Sequence, residues 1–439
     1  MSRNTILMII GFIAIASVGG GYIYYAMNKP AGDINNPGDT STINRIFSPF
    51  GFGSKANNDS TPSPTDALGS AIKNIVSGIN INSKFTQLTD FAVSGVTFFI
   101  DERPLPPKPI EEKIEEIAKS KTTKVTKTIT PPEPTTEKVP SIRYMKKSSG
   151  HIYQTYLDTK ATGKISNSTI PEIHEGIFGS NANNVIYRLL GEDGLTIKTV
   201  AGTLGGSKSG FLPDNVIDVS IAPNGDNFFY LQKNTNGSTG TIGSFTEVKR
   251  TLILNSTFSE WLAQWPVNQT IFITTKASYN TEGYIYSLPT IKGSLRKIIG
   301  GIKGLTTLVS PSGDKVLYSS STNNGPILGI YTISTNKYTP LNLFGLPEKC
   351  VWTNDSIRIY CAIPNTTEGS AYPDIWYQGK VSFDDKFIRI NTEIGTSSEI
   401  SNSIYETPID ATKLAVDEAE RTLFFINKKD YTLWSLNLQ

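Results

Sequence analysis

Short apolar runs alternate with turn-forming clusters along most of this chain. The unit is clearest at 305–341, LTTLVSPSGDKVLYSSSTNNGPILGIYTISTNKYTPL. Thr306–Val309 reads as strand a, Lys315–Ser320 as b, Leu328–Ser334 as c and Lys337–Leu341 as d, with Pro, Gly and Asp in the first turn. The same pattern returns at 216–254, 260–299, 349–390 and 412–438, and more weakly at 174–202 and 93–165. Turns near 180, 222, 266, 310 and 353 stand about 43–44 residues apart, the length of four short strands with their connections. A sheet of that size has two apolar faces and cannot cover them alone, so neighbours stack around an axis. The expected fold is therefore all-β, a seven-bladed β-propeller over 85–439. Its last unit, 412–438, lacks a strand d, whereas KFTQLTD (84–90) precedes the first strand a and resembles one. The N-terminal strand is expected to complete the last blade and remove the open sheet edges.

One aromatic recurs on strand c in five units: Tyr153, Tyr286, Tyr331, Trp376 and Trp434. A lone aromatic could stack on a ligand; five at one register are expected to pack blade against blade.

Two segments break the pattern. Residues 5–27, TILMIIGFIAIASVGGGYIYYAM, carry no charge and are long enough to cross a hydrocarbon core of ~30 Å. Ala14 and Ala16 offer a cleavage signal, but the apolar run continues past them, which favours a retained transmembrane helix. Arg3 places residues 1–4 in the cytoplasm and the remainder outside, with the membrane itself the first partner. Residues 28–84 read as a flexible linker rich in small and polar residues, with an apolar island, IFSPFGFG (46–53), that is either a resting patch or a docking peptide. Residues 102–140 form a charged, Pro-rich insert in the first blade, a surface loop that is either functional or disordered.

Composition narrows the function only by exclusion. Forty-one basic and 39 acidic residues leave a net charge of +2, so no global field points to nucleic acid. The only cysteines, Cys350 and Cys361, bracket a turn and face each other across strands a and b; they are either a disulfide, as the anchor's oxidising side predicts, or two reduced core residues. Neither His151 nor His174 has a partner at metal-ligand spacing, and both read as surface or loop histidines, so no metal site is expected. GTLGGSKSG (202–210) lacks phosphate-loop spacing and reads as a connection between blades. Asp384–Asp385 reads as a turn pair, and the seven N-x-[ST] sequons suit an Asn- and Thr-rich chain. No catalytic residue and no cofactor are expected.

SPSGDKVLYSSS…IYTIST, APNGDNFFYL and GHIYQTYLDTKATGKIS (150–166) resemble the TolB-like, WD40-like bacterial propeller repeat, SPDGKxIAFxS…IYxxDxxxG. The resemblance covers about 85–439, with Asn or Ser where the family writes Asp in several turns. KCVWTNDSIRIYCAIP, the span and the first-blade insert look like an uncharacterised membrane-anchored group. The resemblance implies a protein-binding or scaffold module of the cell envelope, not an enzyme, with an envelope protein as partner. An envelope glycan- or peptide-processing enzyme working in the central channel is the alternative, and an accessory factor of a secretion or pilus machine is a third.

Overall fold

In the computed structural model the second strand of each repeat is buried on both faces, the signature of a sheet sandwiched between two others. Thr270–Thr275, Arg358–Pro364 and Thr422–Asn427 are buried along nearly their whole length, whereas the outermost strands Lys337–Phe344 and Thr396–Ser401 are largely exposed or alternate. The structure describes residues 84–105, 136–171, 173–206, 209–291, 293–401 and 408–439. The expected span at 5–27, nearly all of the 28–84 linker and residues 106–135 of the insert lie outside the described residues. Among those described, no helix is long and apolar enough to cross a membrane.

Seven four-stranded antiparallel sheets form among the described residues. Over the described residues the protein is an all-β, seven-bladed propeller with almost no helix. Blades 1 to 6 occupy 93–164, 173–211, 216–256, 261–303, 306–344 and 350–401, their strands adjacent in chain order. Blade 7 takes Ala411–Val416, Thr422–Asn427 and Leu433–Asn437, and its fourth strand is Phe85–Gln87, with Phe85 opposite Leu436 and Gln87 opposite Trp434.

The core is divided by seams. Seven apolar clusters each join two consecutive blades, including one that packs Val93, Ile142 and Tyr144 of blade 1 against Phe424, Ile426 and Leu433 of blade 7. Each fully buried Leu, Ile or Phe in such a seam is worth about 1.5–3 kcal/mol. An eighth cluster, of Leu346, Tyr372, Trp376 and Phe383, is a satellite.

The sequence period reappears as contacts between successive a–b turns. Ser180 Oγ donates to Pro223 O at 2.8 Å, Asn184 Nδ2 to Gly225 O at 2.7 Å, and Ser312 N to Ser356 Oγ at 3.0 Å. Five of these turns close with one hydrogen bond from a left-handed residue to the carbonyl three residues earlier, at Ala182, Gly225, Gly313, Ser356 and Glu420. Gly313 (φ 72°) and Gly225 (φ 77°) meet that need without a Cβ penalty. Gly95 has a different reason: a Cβ there would lie 2.0 Å from Gly176 O, so the first strands of blades 1 and 2 could not approach.

Four corrections follow. Trp376 is not on a third strand; it lies on a one-turn helix, α1 (Asp374–Tyr377), and the third strand of blade 6 is Asp385–Asn391. Pro373, at the N-cap, cannot donate to a ladder, and the apolar run after it is wound into a buried turn rather than extended. The outer strand of blade 6 is consequently Thr396–Ser401, not the segment ending at 390. Blade 2 extends to a fourth strand at Ser209–Phe211. The insert is narrower than 102–140, because Val93–Pro104 and Thr136–Lys146 pair continuously up to Pro104 opposite Thr136.

Candidate functional site

The b–c and d–a connections gather at one end of the propeller, and over blades 2 to 4 they wall a groove of about 550 Å³. Leu195–Lys198 of blade 2 forms one side, Asp214–Ile217 the floor, and Glu260–Leu262 with Lys233 and Lys276 the far side. Three exposed ion pairs line it: Lys198–Asp214 at 2.6 Å, Lys233–Glu260 at 2.7 Å and Lys276–Glu260 at 3.9 Å. Exposed pairs of this kind contribute about 0–1 kcal/mol each, so an incoming charge can exchange with them at little cost. Two apolar groups flank them. Leu195 is 86% exposed, and Trp261, fixed by its indole N–H to Ser256 Oγ (3.1 Å) and by edge contacts with Phe258 and Tyr286, forms the base.

Arg188 reaches the floor of the groove from the second strand of blade 2. Its Nη1 lies 3.4 Å from Glu175 Oε2 and its Nη2 donates to Ile217 O at 3.2 Å, but its buried Nε has no partner. On the same side, Lys413 of blade 7 pairs with Glu175 Oε1, so the first strands of blades 2 and 7 are bridged across blade 1. Burial raises the Glu175 carboxyl, but Lys413 and Arg188 outweigh it and hold the group below its ordinary value. Asp218, on the first strand of blade 3, accepts from Ala263 N at 2.6 Å, yet burial pushes its carboxyl up to about 6.

A second polar centre lies over blades 6 and 7. The b–c connection of blade 6 carries α1 and reaches back to blade 4, where Asp374 accepts from Ser278 Oγ (3.0 Å) and Tyr279 N. Beneath α1, Lys349 is completely buried; its Nζ lies 2.8 Å from Asp385 Oδ2 and 2.5 Å from Asp410 Oδ1, and donates to Ala411 O at 2.8 Å. Lys428 donates to Trp376 O at 2.7 Å and sits over that ring at 4.4 Å.

Four of the five predicted aromatics stand on third strands, and each faces the preceding blade. Tyr153 meets Phe91 and Tyr144, Tyr286 meets Trp261, Tyr331 joins the seam with blade 4, and Trp434 the seam with blade 6. Trp376 instead donates its indole N–H to Asp410. Cys350 and Cys361 are opposed in register and joined by a disulfide in the seam between blades 5 and 6. His151 pairs with Thr169 Oγ1 at 3.1 Å, and His174, at the surface, is lowered by partial desolvation of its ring and by the Lys147 charge. Lys208 lies outside the described residues. Among those described, no cluster of His, Cys, Asp and Glu is placed to hold a metal.

Sequence reasoning missed the groove and the buried centre. Asp385 was read as a turn residue and is a wholly buried strand residue. The available signal was Lys349 itself, the one cation in the approach to a buried strand, GLPEKCVW.

No protein-family model matches this chain, and no curated protein matches it. Similar solved structures include TolB from Acinetobacter baumannii (TM-score 0.39, 11% identity, covering 66% of this chain and 60% of that one). They also include an oligogalacturonate lyase from Vibrio parahaemolyticus (TM-score 0.48, 8% identity, 79% of this chain and 98% of that one). A third is the β-propeller domain of the Trilobed protease from Pyrococcus furiosus (TM-score 0.45, 9% identity, 69% and 92%).

Proposed function

We propose that this chain is a binding module without turnover, held at a cytoplasmic membrane by residues 5–27, with its propeller on the extracytoplasmic side. It takes an extended segment of a partner protein of the cell envelope in the groove over blades 2 to 4. The pairing of Phe85–Gln87 with Trp434–Leu436 supports a ring closed by the N-terminal strand, with the tethered end tied into the last blade. The observation that carries the reading is the groove: a cleft of about 550 Å³ with an exposed leucine, a fixed tryptophan and exchangeable charges of both signs. Arg188, at the base of the groove, adds a fixed positive charge there. Leu195 and Trp261 supply the apolar contact and the lysine–carboxylate pairs the polar rim, the usual division in a protein interface.

The test is a photoreactive residue in place of Leu195 in the full chain, irradiated in native membranes. A discrete protein adduct is expected, weakened by Lys198→Glu with Lys233→Glu. Adducts of equal yield from a probe at Lys337, on the outer strand of blade 5, would defeat the assignment. Cleavage of a glycan or peptide library by the purified chain would favour the enzyme reading.

A further inference from the structure

The buried centre of blades 6 and 7 takes no part in the groove. Lys349, Asp385 and Asp410 are each 0% exposed. The Lys349 amine touches Asp410 Oδ1 at 2.5 Å, and the other Asp410 oxygen is surrounded by donors. Oδ2 accepts from the Trp376 indole, the Ser382 hydroxyl and the Phe383 backbone N–H, each at 3.1 Å. The rings of Trp376 and Phe383 flank the amine at 5.3 and 5.2 Å and keep water from it. Asp385 Oδ2 lies 2.8 Å from the same amine, and its Oδ1 is buried without a partner. These are the parts of an acyl-transfer site: an amine, a carboxyl carbon beside it, donors on the oxygen where charge would gather, and a proton carrier.

We propose that Lys349 and Asp410 join in an intramolecular amide made by this cage, with Asp385 carrying the protons, so that blades 6 and 7 are covalently linked. A proton first passes from the ammonium to the Asp410 carboxylate. The freed Nζ lone pair adds to Cγ, and the negative charge on Oδ2 is held by the three donors. Asp385 gives its proton to the departing Oδ1 hydroxyl and takes one from the nitrogen, ending as it began. The Cγ–Oδ1 bond breaks and one water leaves; an ammonium and a carboxylate have become an amide and water, with no oxidant or cofactor consumed. Burial, together with the Asp410 charge, pushes the Asp385 carboxyl up to about 6 against the pull of Lys349, which suits a proton carrier. The driving force is desolvation: a buried ion pair has lost the hydration of both ions, and the amide has no charge to bury. Fixed proximity supplies the rate.

Mass spectrometry of the full chain purified in detergent decides the matter independently of the groove. The intact mass is expected below that of the disulfide-bonded sequence by one water. After reduction and digestion, a branched peptide should join Lys349 to Asp410, with no tryptic cleavage at Lys349. Asp385→Asn, checked for native near-UV circular dichroism, should keep its full mass. Folded wild-type protein at full mass, with the two peptides separate, would overturn the proposal; so would a branch to Asp385. The wild-type measurement needs no variant, so a variant that fails to fold leaves the decision intact.

Discussion

Between blades 3, 4 and 5 the inner strands are tied by side chains that bond to a neighbouring backbone; between blades 6 and 7 the same task falls to amine, guanidinium and carboxyl side chains that meet one another. Asp218 and Ser220 accept from Ala263 N (2.6 Å) and Trp265 N (2.9 Å), and Gln264 bonds Thr307 O and Val309 N at 2.8 Å each. Most of these partners lie 45 residues apart, one blade along the chain. At the other seam Lys349 holds Asp410 and Ala411 O, while Arg358 reaches Glu420 at 2.6 Å and Tyr360 Oη donates to the same carboxylate at 2.7 Å. Burial and that carboxylate push the Tyr360 phenol up to about 12. A polar link to a backbone N–H fails gently, because water or a neighbour can replace it. A buried charge fails abruptly, because its partner is stranded.

The sharpest way to break the contrast is to strand that partner. Lys349→Met is expected to destabilise the propeller by about 3–5 kcal/mol in denaturant titrations, because Asp410, with no amine either to pair with or to join, is left charged in a dry site. A loss under about 1 kcal/mol would mean that the ionic seam is no different from the neutral one. Next comes the covalent brace beside it. Replacing Cys350 and Cys361 together by Ser should cost about 2–3 kcal/mol, the loop-entropy value for a short bridge. An unchanged melting temperature under reducing and oxidising conditions would show that the seam does not use the bridge.

The neutral seam gives the smaller comparison. Gln264→Leu removes three hydrogen bonds to blade 5 and leaves Thr307 O, Thr307 Oγ1 and Val309 N to find others. A loss of about 1–2 kcal/mol is expected. Amide exchange should quicken locally in Thr306–Val309 and leave Thr422–Asn427 unaffected; uniform quickening would contradict the view that each seam is a local unit.

The two seams also differ in how well they can be read from sequence. Blade 5 was legible because its turn chemistry is local: Ser310, Gly313 and Asp314 sit within a few residues of each other and dictate one hydrogen-bonded loop. The Cys350–Cys361 register was legible for the same reason, a short hairpin with a countable midpoint. Blade 6 was misread at its third strand because IWY is a short apolar, aromatic run of the kind strands carry, while the contacts that hold it wound, those of Trp376 with Asp410 and Phe383, involve tertiary neighbours. Lys349 meets Asp410 across 61 residues, and no periodicity announces such a pair. The groove is equally opaque, since Lys198, Lys233 and Lys276 come from three different blades.

A last measurement separates the seams by pH. Asp218 has its folded carboxyl raised to about 6 from an unfolded value near 3.8, mainly by burial. The folded state therefore holds a proton that the unfolded chain has already released in this window. By linkage, the stabilising share of Asp218 is present in full below about pH 4 and lost as pH rises through about 6. Asp218→Asn keeps an acceptor for Ala263 N and cannot ionise. Its stability should match the wild type near pH 4 and exceed it by about 1 kcal/mol at pH 7, a figure discounted from the full linkage value because the group is only partly buried. Asp385 titrates in the same range and is untouched by the substitution, so the wild-type curve should still slope after the Asp218 share is removed. Parallel curves for the two proteins would mean that Asp218 gives up its proton at the ordinary carboxylate pH when folded, and that burial does not penalise its charge.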